Sequence, residues 1–147
     1  MTVLPNGHLG NLYFGKRIHD REDFSHLLEM KQRPMTACAS EGNRKFSLEH
    51  LKLEYPVYGS SDYRYPAVEI LQENGSRISD FTYVNYTIAA GKPKLQGLPA
   101  TYTEKDEEAQ TLCVKLKDEV TGIVLELLYT VFAQGGIITR SARFTNE

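Results

Sequence analysis

Tryptophan is absent from this 147-residue sequence, although nine tyrosines are present. Sugar sites commonly stack a pyranose face on a flat apolar ring, and indole offers the largest such face. The absence therefore argues against a self-sufficient sugar site. Cysteine is scarce: Cys38 and Cys113 stand far apart and outside any C-x-x-C spacing, so neither a disulfide framework nor a structural zinc site follows, and a reducing compartment is the simpler reading. No stretch approaches the roughly 18–20 uninterrupted apolar residues of a membrane-spanning helix, and Met1-Thr2-Val3-Leu4-Pro5 lacks the basic start and apolar run of a signal peptide. Charge of one sign is missing too. Seventeen Lys+Arg face nineteen Asp+Glu, a net charge of −2, and no global field draws this surface to nucleic acid or an anionic membrane. These absences lead us to expect a soluble, cytoplasmic chain with neither of those partners.

Sequence-visible chemistry is equally sparse. His8, His19, His26 and His50 show no H-x-H or H-E-x-x-H spacing, so they read as surface histidines rather than metal ligands, and no metal or cofactor is expected. No G-x-S-x-G elbow, phosphate loop or dinucleotide fingerprint occurs. Cys113, on the polar face of a strand beside Lys115, is placed to favour its thiolate slightly, yet without an identifiable base it reads as a structural thiol. The Glu104 to Glu108 cluster reads as a solvated loop. Glycoside hydrolysis needs two carboxylates at a defined separation, and nothing in the sequence singles out a pair.

What is present is alternation. From Thr111 to Lys117, Leu112, Val114 and Leu116 share one face while Cys113, Lys115 and Lys117 share the other, the period of a half-buried strand. Asp118 to Gly122 supplies turn chemistry. Ile123 to Phe132 is apolar on both faces, as in a strand covered on both sides or lying against another domain. After Gln134-Gly135-Gly136, Ile137 to Thr145 forms a third strand with Ile138, Ala142 and Phe144 on its apolar face. Earlier, Ala67 to Gln72 and Phe81 to Ala89 read as strands about an Asn74-Gly75 turn. Leu9 to Phe14 reads as a strand, Asp23 to Leu28 and Ser47 to Leu53 as helical turns capped by Asp23 and Ser47, and Arg33 to Asn43 as loop. The prediction is one domain over 1–147, all-β, an antiparallel β-sandwich with a few short helical turns.

One segment stands apart. Glu54-Tyr55-Pro56-Val57-Tyr58-Gly59-Ser60-Ser61-Asp62-Tyr63-Arg64-Tyr65-Pro66-Ala67 packs four tyrosines and two prolines into fourteen positions. A rigid corner with buried tyrosine rings and an Asp62–Arg64 pair accounts for it; a hydroxyl-lined surface for a polyol is the functional alternative. This segment, with Gly91-Lys92-Pro93-Lys94, Gly97-Leu98-Pro99-Ala100-Thr101-Tyr102, Ile138-Thr139-Arg140-Ser141-Ala142-Arg143-Phe144, Leu4-Pro5-Asn6-Gly7-His8-Leu9-Gly10 and Phe46-Ser47-Leu48, resembles the N-terminal domain of bacterial family 36 α-galactosidases. The likeness covers essentially the whole chain.

The resemblance implies a supersandwich-like β-domain of a retaining glycosidase that releases terminal α-galactose from melibiose, raffinose and related oligosaccharides. The two catalytic aspartates of such enzymes sit on a (β/α)₈ barrel, in motifs such as Lys-Trp-Asp that this sequence lacks. A barrel alone takes about 200 residues or more, so this chain is expected to be catalytically inert by itself, a fragment whose partners are the catalytic barrel and other subunits of a homotetramer. Members of the family begin with a further strand or two before the Leu-Pro-Asn-Gly turn, and the isolated polypeptide is expected to be unstable or to self-associate. In the family a loop of this domain reaches a neighbour's active-site mouth. By position it falls near Met30 to Thr36, with Lys31, Gln32 and Arg33 as polar candidates and Arg33 as the substrate contact. An autonomous carbohydrate-binding module is the alternative reading.

Overall fold

The computed structural model describes residues 1–28, 39–40, 43–47, 51–59, 65–97 and 99–146. These residues divide into two compact units, Met1–Thr82 and Tyr83–Glu147. All strand pairs with an assigned register are antiparallel.

The first unit opens with a small hairpin, β1 (Thr2–Val3) and β2 (Leu9–Gly10). Leu4-Pro5-Asn6-Gly7 makes its turn: the Gly7 N–H donates to the Leu4 carbonyl and the Leu4 N–H to the His8 carbonyl. Proline supplies the fixed φ of the second turn position, and Gly7, at φ +82°, the left-handed residue that closes a three-residue hairpin loop. Gly10 is small for a different reason. A Cβ there would lie 2.8 Å from a Leu4 methyl, so the close approach lets Leu4 reach the core formed with Phe46 and Leu51, against which Leu28 and Leu53 pack.

Four sequence expectations in this unit are revised. Leu9 to Phe14 yields only the two-residue β2. Arg33 to Asn43 is not all loop: β3 (Ala39–Ser40) pairs with β4 (Asn43–Ser47), a strand hidden by its charged start, Asn43-Arg44-Lys45. Ser47 is buried within β4 and so starts no helix; beyond it, Leu53 bridges Gly10 and the Glu54 N–H donates to the Leu9 carbonyl, an extended arrangement. Ala67 to Gln72 does alternate in exposure, yet among the described residues only Val68 finds a cross-strand partner, Val57, in a parallel bridge. The Asn74-Gly75 turn forms as expected, with the Gln72 N–H donating to the Ser76 carbonyl. The Asp23 to Leu28 turn is a 3₁₀ turn at Ser25–Leu27, and Asp23 accepts bonds from the Ser25 N–H and hydroxyl.

The second unit is a four-stranded sheet in sequence order: β5 (Thr82–Ala90), β6 (Ala109–Lys117), β7 (Ile123–Phe132) and β8 (Ile138–Asn146). A second 3₁₀ turn, Asp106–Glu108, precedes β6. The three-strand meander is where the alternation placed it, within two residues at each strand end. Val114 lies opposite Leu127, and Leu127 opposite Ala142, so Leu112, Val114, Leu116, Leu125, Leu127, Tyr129 and Phe144 share one face. β7 is buried on both faces, at Leu125, Leu127 and Tyr129 on one and Val124 and Thr130 on the other, as its doubly apolar pattern predicts. β8 departs from expectation: Ile138 and Phe144 on its apolar face are exposed, because β8 ends the sheet.

Candidate functional site

Among the described residues of the first unit, a connected polar arrangement starts at the β1–β2 turn. The Asn6 Oδ1 accepts the His8 backbone N–H (3.2 Å), which fixes the amide so that its Nδ2 faces the His8 Nδ1 (3.1 Å) and donates to it. With Nδ1 committed as an acceptor, Nε2 carries the ring proton and donates it to the Asp80 Oδ1 at 2.6 Å. The expectation that the histidines are surface groups therefore fails for His8, which is buried while Asp80 is largely exposed. His19 and His26 are exposed as expected, and His50 lies outside the described residues. Because both ring nitrogens of His8 are engaged, no lone pair is left to act as a general base.

Each carboxylate with an observed partner is similarly committed. Glu54, buried, accepts the Asn11 amide at 2.7 Å. Asp118, also buried, accepts the N–H groups of Val120 and Thr121 in the β6–β7 turn. Glu126 pairs with Arg143 at 2.5 Å and Glu69 with Arg77. Glu108 accepts the Glu104 N–H, and the acidic cluster around it is exposed, a solvated turn. The described residues hold no group of three or more His, Cys, Asp or Glu side chains positioned for a metal ion.

Cys113 lies on the β6 face shared with Lys115, and its thiol pKa is pushed up rather than down. Burial is the larger cause and the Glu126 carboxylate the second, partly offset by Arg143. The sequence reading looked to Lys115, its neighbour along the strand. The Glu126 carboxylate sits on β7 opposite Lys115, two residues along from Leu128, which faces Cys113.

The tyrosine-rich segment is described at its two ends. Val57 is buried, Ala67 donates to the Pro56 carbonyl, and Ser79 donates to the Tyr58 carbonyl, so the corner is held by backbone bonds. Gly59, at φ +101°, packs against Ile78. The rings do not all bury as expected: Tyr65 is 95% exposed and Tyr58 54%. Asp62 and Arg64 lie outside the described residues, as does Arg33, the candidate substrate contact.

Described residues also line two concavities. One of about 100 Å³ lies among Leu4, Gly10, Leu12, Leu27, Leu28 and Leu51, below the ~300 Å³ at which ligand pockets begin. The other, about 380 Å³, is an open groove lined by Lys105, Glu107, Glu108, Phe132, Ala133 and Gln134. Its charged residues are all exposed, and it offers no converging set of fixed polar groups.

No catalytic constellation is formed by the described residues. The family model for the glycosyl hydrolase family 36 N-terminal domain matches residues 7–147. The chain belongs to glycoside hydrolase family 36, through that N-terminal domain. It is 40% identical over 147 residues to α-galactosidase AgaA of Geobacillus stearothermophilus, covering 100% of this chain and 20% of that protein. The bifunctional α-galactosidase/sucrose kinase AgaSK of Mediterraneibacter gnavus is 38% identical over 148 residues, 99% of this chain and 16% of that one. The crystal structure of AgaA superposes with a TM-score of 0.90 over 99% of this chain and 20% of that chain; a variant of AgaA in complex with raffinose gives 0.91 at 40% identity and the same coverage. This chain thus spans about one fifth of the length of AgaA. Its fold is the antiparallel, all-β arrangement of those neighbours.

Proposed function

We propose that this chain is the accessory N-terminal domain of an α-galactosidase that hydrolyses terminal α-D-galactosyl residues of melibiose- and raffinose-type oligosaccharides, and that it turns over no substrate by itself. One observation carries the reading: essentially all of the chain matches relatives named α-galactosidases, but only about one fifth of AgaA, in the N-terminal domain. The AgaA variant crystallised with raffinose motivates the substrate class. The family model runs across both compact units, which supports treating 1–147 as one domain. Its partners in this reading are the catalytic barrel and further copies of the enzyme in a cytoplasmic homo-oligomer, with Arg33 reaching a galactoside bound in a neighbouring subunit.

The purified chain is expected to release no product from an α-galactoside, and turnover that survives further purification would overturn the proposal. Arg33→Ala in the intact enzyme is expected to raise KM for raffinose; an unchanged value removes Arg33 from the site. A second reading, an autonomous carbohydrate-binding module, draws on the exposed rings of Tyr58 and Tyr65, which are available for stacking on a sugar face. Titration calorimetry with galactose and raffinose separates the two. The accessory reading expects no heat of binding, and millimolar or tighter binding favours the module.

A further inference from the structure

We infer that Asn74 is a site of spontaneous deamidation to isoaspartate in this chain, and that Asn6, in the same dipeptide, is protected by the His8 ring. Both asparagines precede a glycine, Asn6-Gly7 and Asn74-Gly75, and glycine leaves its backbone nitrogen open to attack because no Cβ shields it. The two turns are built alike. The Gly7 N–H donates to the Leu4 carbonyl and the Leu4 N–H to the His8 carbonyl; the Gly75 N–H donates to the Gln72 carbonyl and the Gln72 N–H to the Ser76 carbonyl. The glycines stand at φ +82° and +81°. Each asparagine Oδ1 accepts the N–H two residues on, from His8 at 3.2 Å and from Ser76 at 2.8 Å. Dipeptide and backbone thus treat the two sites equally.

The side-chain amide nitrogen, which is the leaving group, separates them. Asn6 Nδ2 donates to the His8 Nδ1 at 3.1 Å, and His8 is buried and bound in turn to Asp80, so the Asn6 amide is held at both ends and moves toward Gly7 only by breaking that relay. Asn74 is held through Oδ1 alone among the described residues. A Cβ on Gly7 would touch the Thr82 side chain at 3.4 Å, whereas around Gly75 no described atom lies within 4 Å of that position. The reaction needs only water. Once the Gly75 N–H leaves the Gln72 carbonyl and gives its proton to hydroxide, the nitrogen attacks Asn74 Cγ, and the C=O electron pair moves to Oδ1, where the Ser76 N–H stabilises the developing charge. Collapse breaks the Cγ–Nδ2 bond; Nδ2 takes a proton from water and leaves as ammonia, and a succinimide remains. Water then opens the ring at the Asn74 main-chain carbonyl, giving isoaspartate, or at Cγ, giving aspartate. The isoaspartyl link threads the main chain through Cβ and Cγ and adds a negative charge beside Glu73, so the paired bonds between Gln72 and Ser76 no longer close as before. This inference is independent of the proposed function.

Incubation of the folded 147-residue chain at mildly alkaline pH, followed by trypsin and fragmentation mass spectrometry, reads both sites, because peptide Met1–Lys16 carries Asn6 and peptide Tyr65–Arg77 carries Asn74. Asn74 should convert about tenfold or more faster than Asn6, the difference being that only Asn6 must first open a buried bond. Methyl esterification by an isoaspartyl methyltransferase then marks the isoaspartyl fraction. In denaturing urea the two rates should come within about twofold, since the unfolded chain keeps the dipeptides and loses the His8 contact. His8→Phe, which fills the ring's space without accepting from Nδ2, should accelerate Asn6 and leave Asn74 unchanged. Asn6 converting as fast as Asn74 in the folded chain, a gap that persists in urea, an Asn6 rate untouched by His8→Phe, or no isoaspartate at Asn74 over the time in which the unfolded chain converts would each overturn the inference.

Discussion

Asn6, His8 and Asp80 form a relay in which each proton has one place to be: the backbone orients the amide, the amide orients the ring, and the ring donates to a carboxylate 72 residues away in sequence. His8→Ala removes the middle of that relay from a buried position. Breaking a buried polar pair costs about 1–3 kcal/mol, and with Asp80 largely exposed the lower half of that range is expected, read as a fall in the urea midpoint. Asp80→Asn keeps an acceptor and should cost less. None of this was legible in the sequence. The Asn-Gly turn can be read locally, whereas a partner so distant leaves no local signal. Cys113 teaches the same lesson: Lys115 is visible along the chain, but burial and Glu126 across the sheet decide its titration. With its pKa raised, the thiol stays protonated at mildly alkaline pH. Alkylation at pH 8 should therefore run slower than that of a free cysteine, and Glu126→Gln should recover only part of the difference, because burial is the larger cause. Labelling as fast as a free thiol would contradict this account.

At the scale of elements, the sequence was most informative where a strand finds its partner next along the chain. β6, β7 and β8 are joined by short turns, and their alternation needs no distant information. Their hairpin turns follow residue chemistry: Asp118 accepts two turn N–H groups, and Gly122 sits at φ +74°. Where pairing is long-range, as for Leu53 on Gly10, periodicity misleads: Ser47 and Leu53, expected in one helical turn, lie in a strand and a bridge. Two glycines separate backbone strain from crowding. Gly75 has φ +81° and open space around it, whereas Gly59 has φ +101° and would place a Cβ 2.6 Å from an Ile78 methyl. Gly75→Ala is expected to cost about 1–2 kcal/mol, the left-handed penalty alone. Gly59→Ala should cost more, because Ile78 must also move. Equal losses in thermal or chemical denaturation would show that the corner at Tyr58–Gly59 yields freely.

For the molecule as a whole, family membership was legible from separated motifs such as Leu4-Pro5-Asn6-Gly7 and Gly91-Lys92-Pro93-Lys94 rather than from any reactive group. In the structure, glycines of those motifs are turn residues. Gly7 closes the first hairpin, and Gly91, at φ +76°, closes β5 onto β6 through a bond to the Ala109 carbonyl. The candidate substrate contact, Arg33, had no comparable local anchor in the sequence.

The contrast between the two compact units also governs the order in which they form. In the β6–β8 meander the widest pairs are Ala109 with Phe132 and Ile123 with Asn146, whereas the first unit must close Leu53 onto Gly10 and Asp80 onto His8. Loop closure delays distant contacts, so the later-synthesised half of the chain should acquire hydrogen-exchange protection first on refolding. On refolding, the order of protection then runs opposite to the order of synthesis, because the first unit must close its longer loops. Pulse-labelling that finds amides of β2 and Leu53–Glu54 protected before those of β7 would reverse that order.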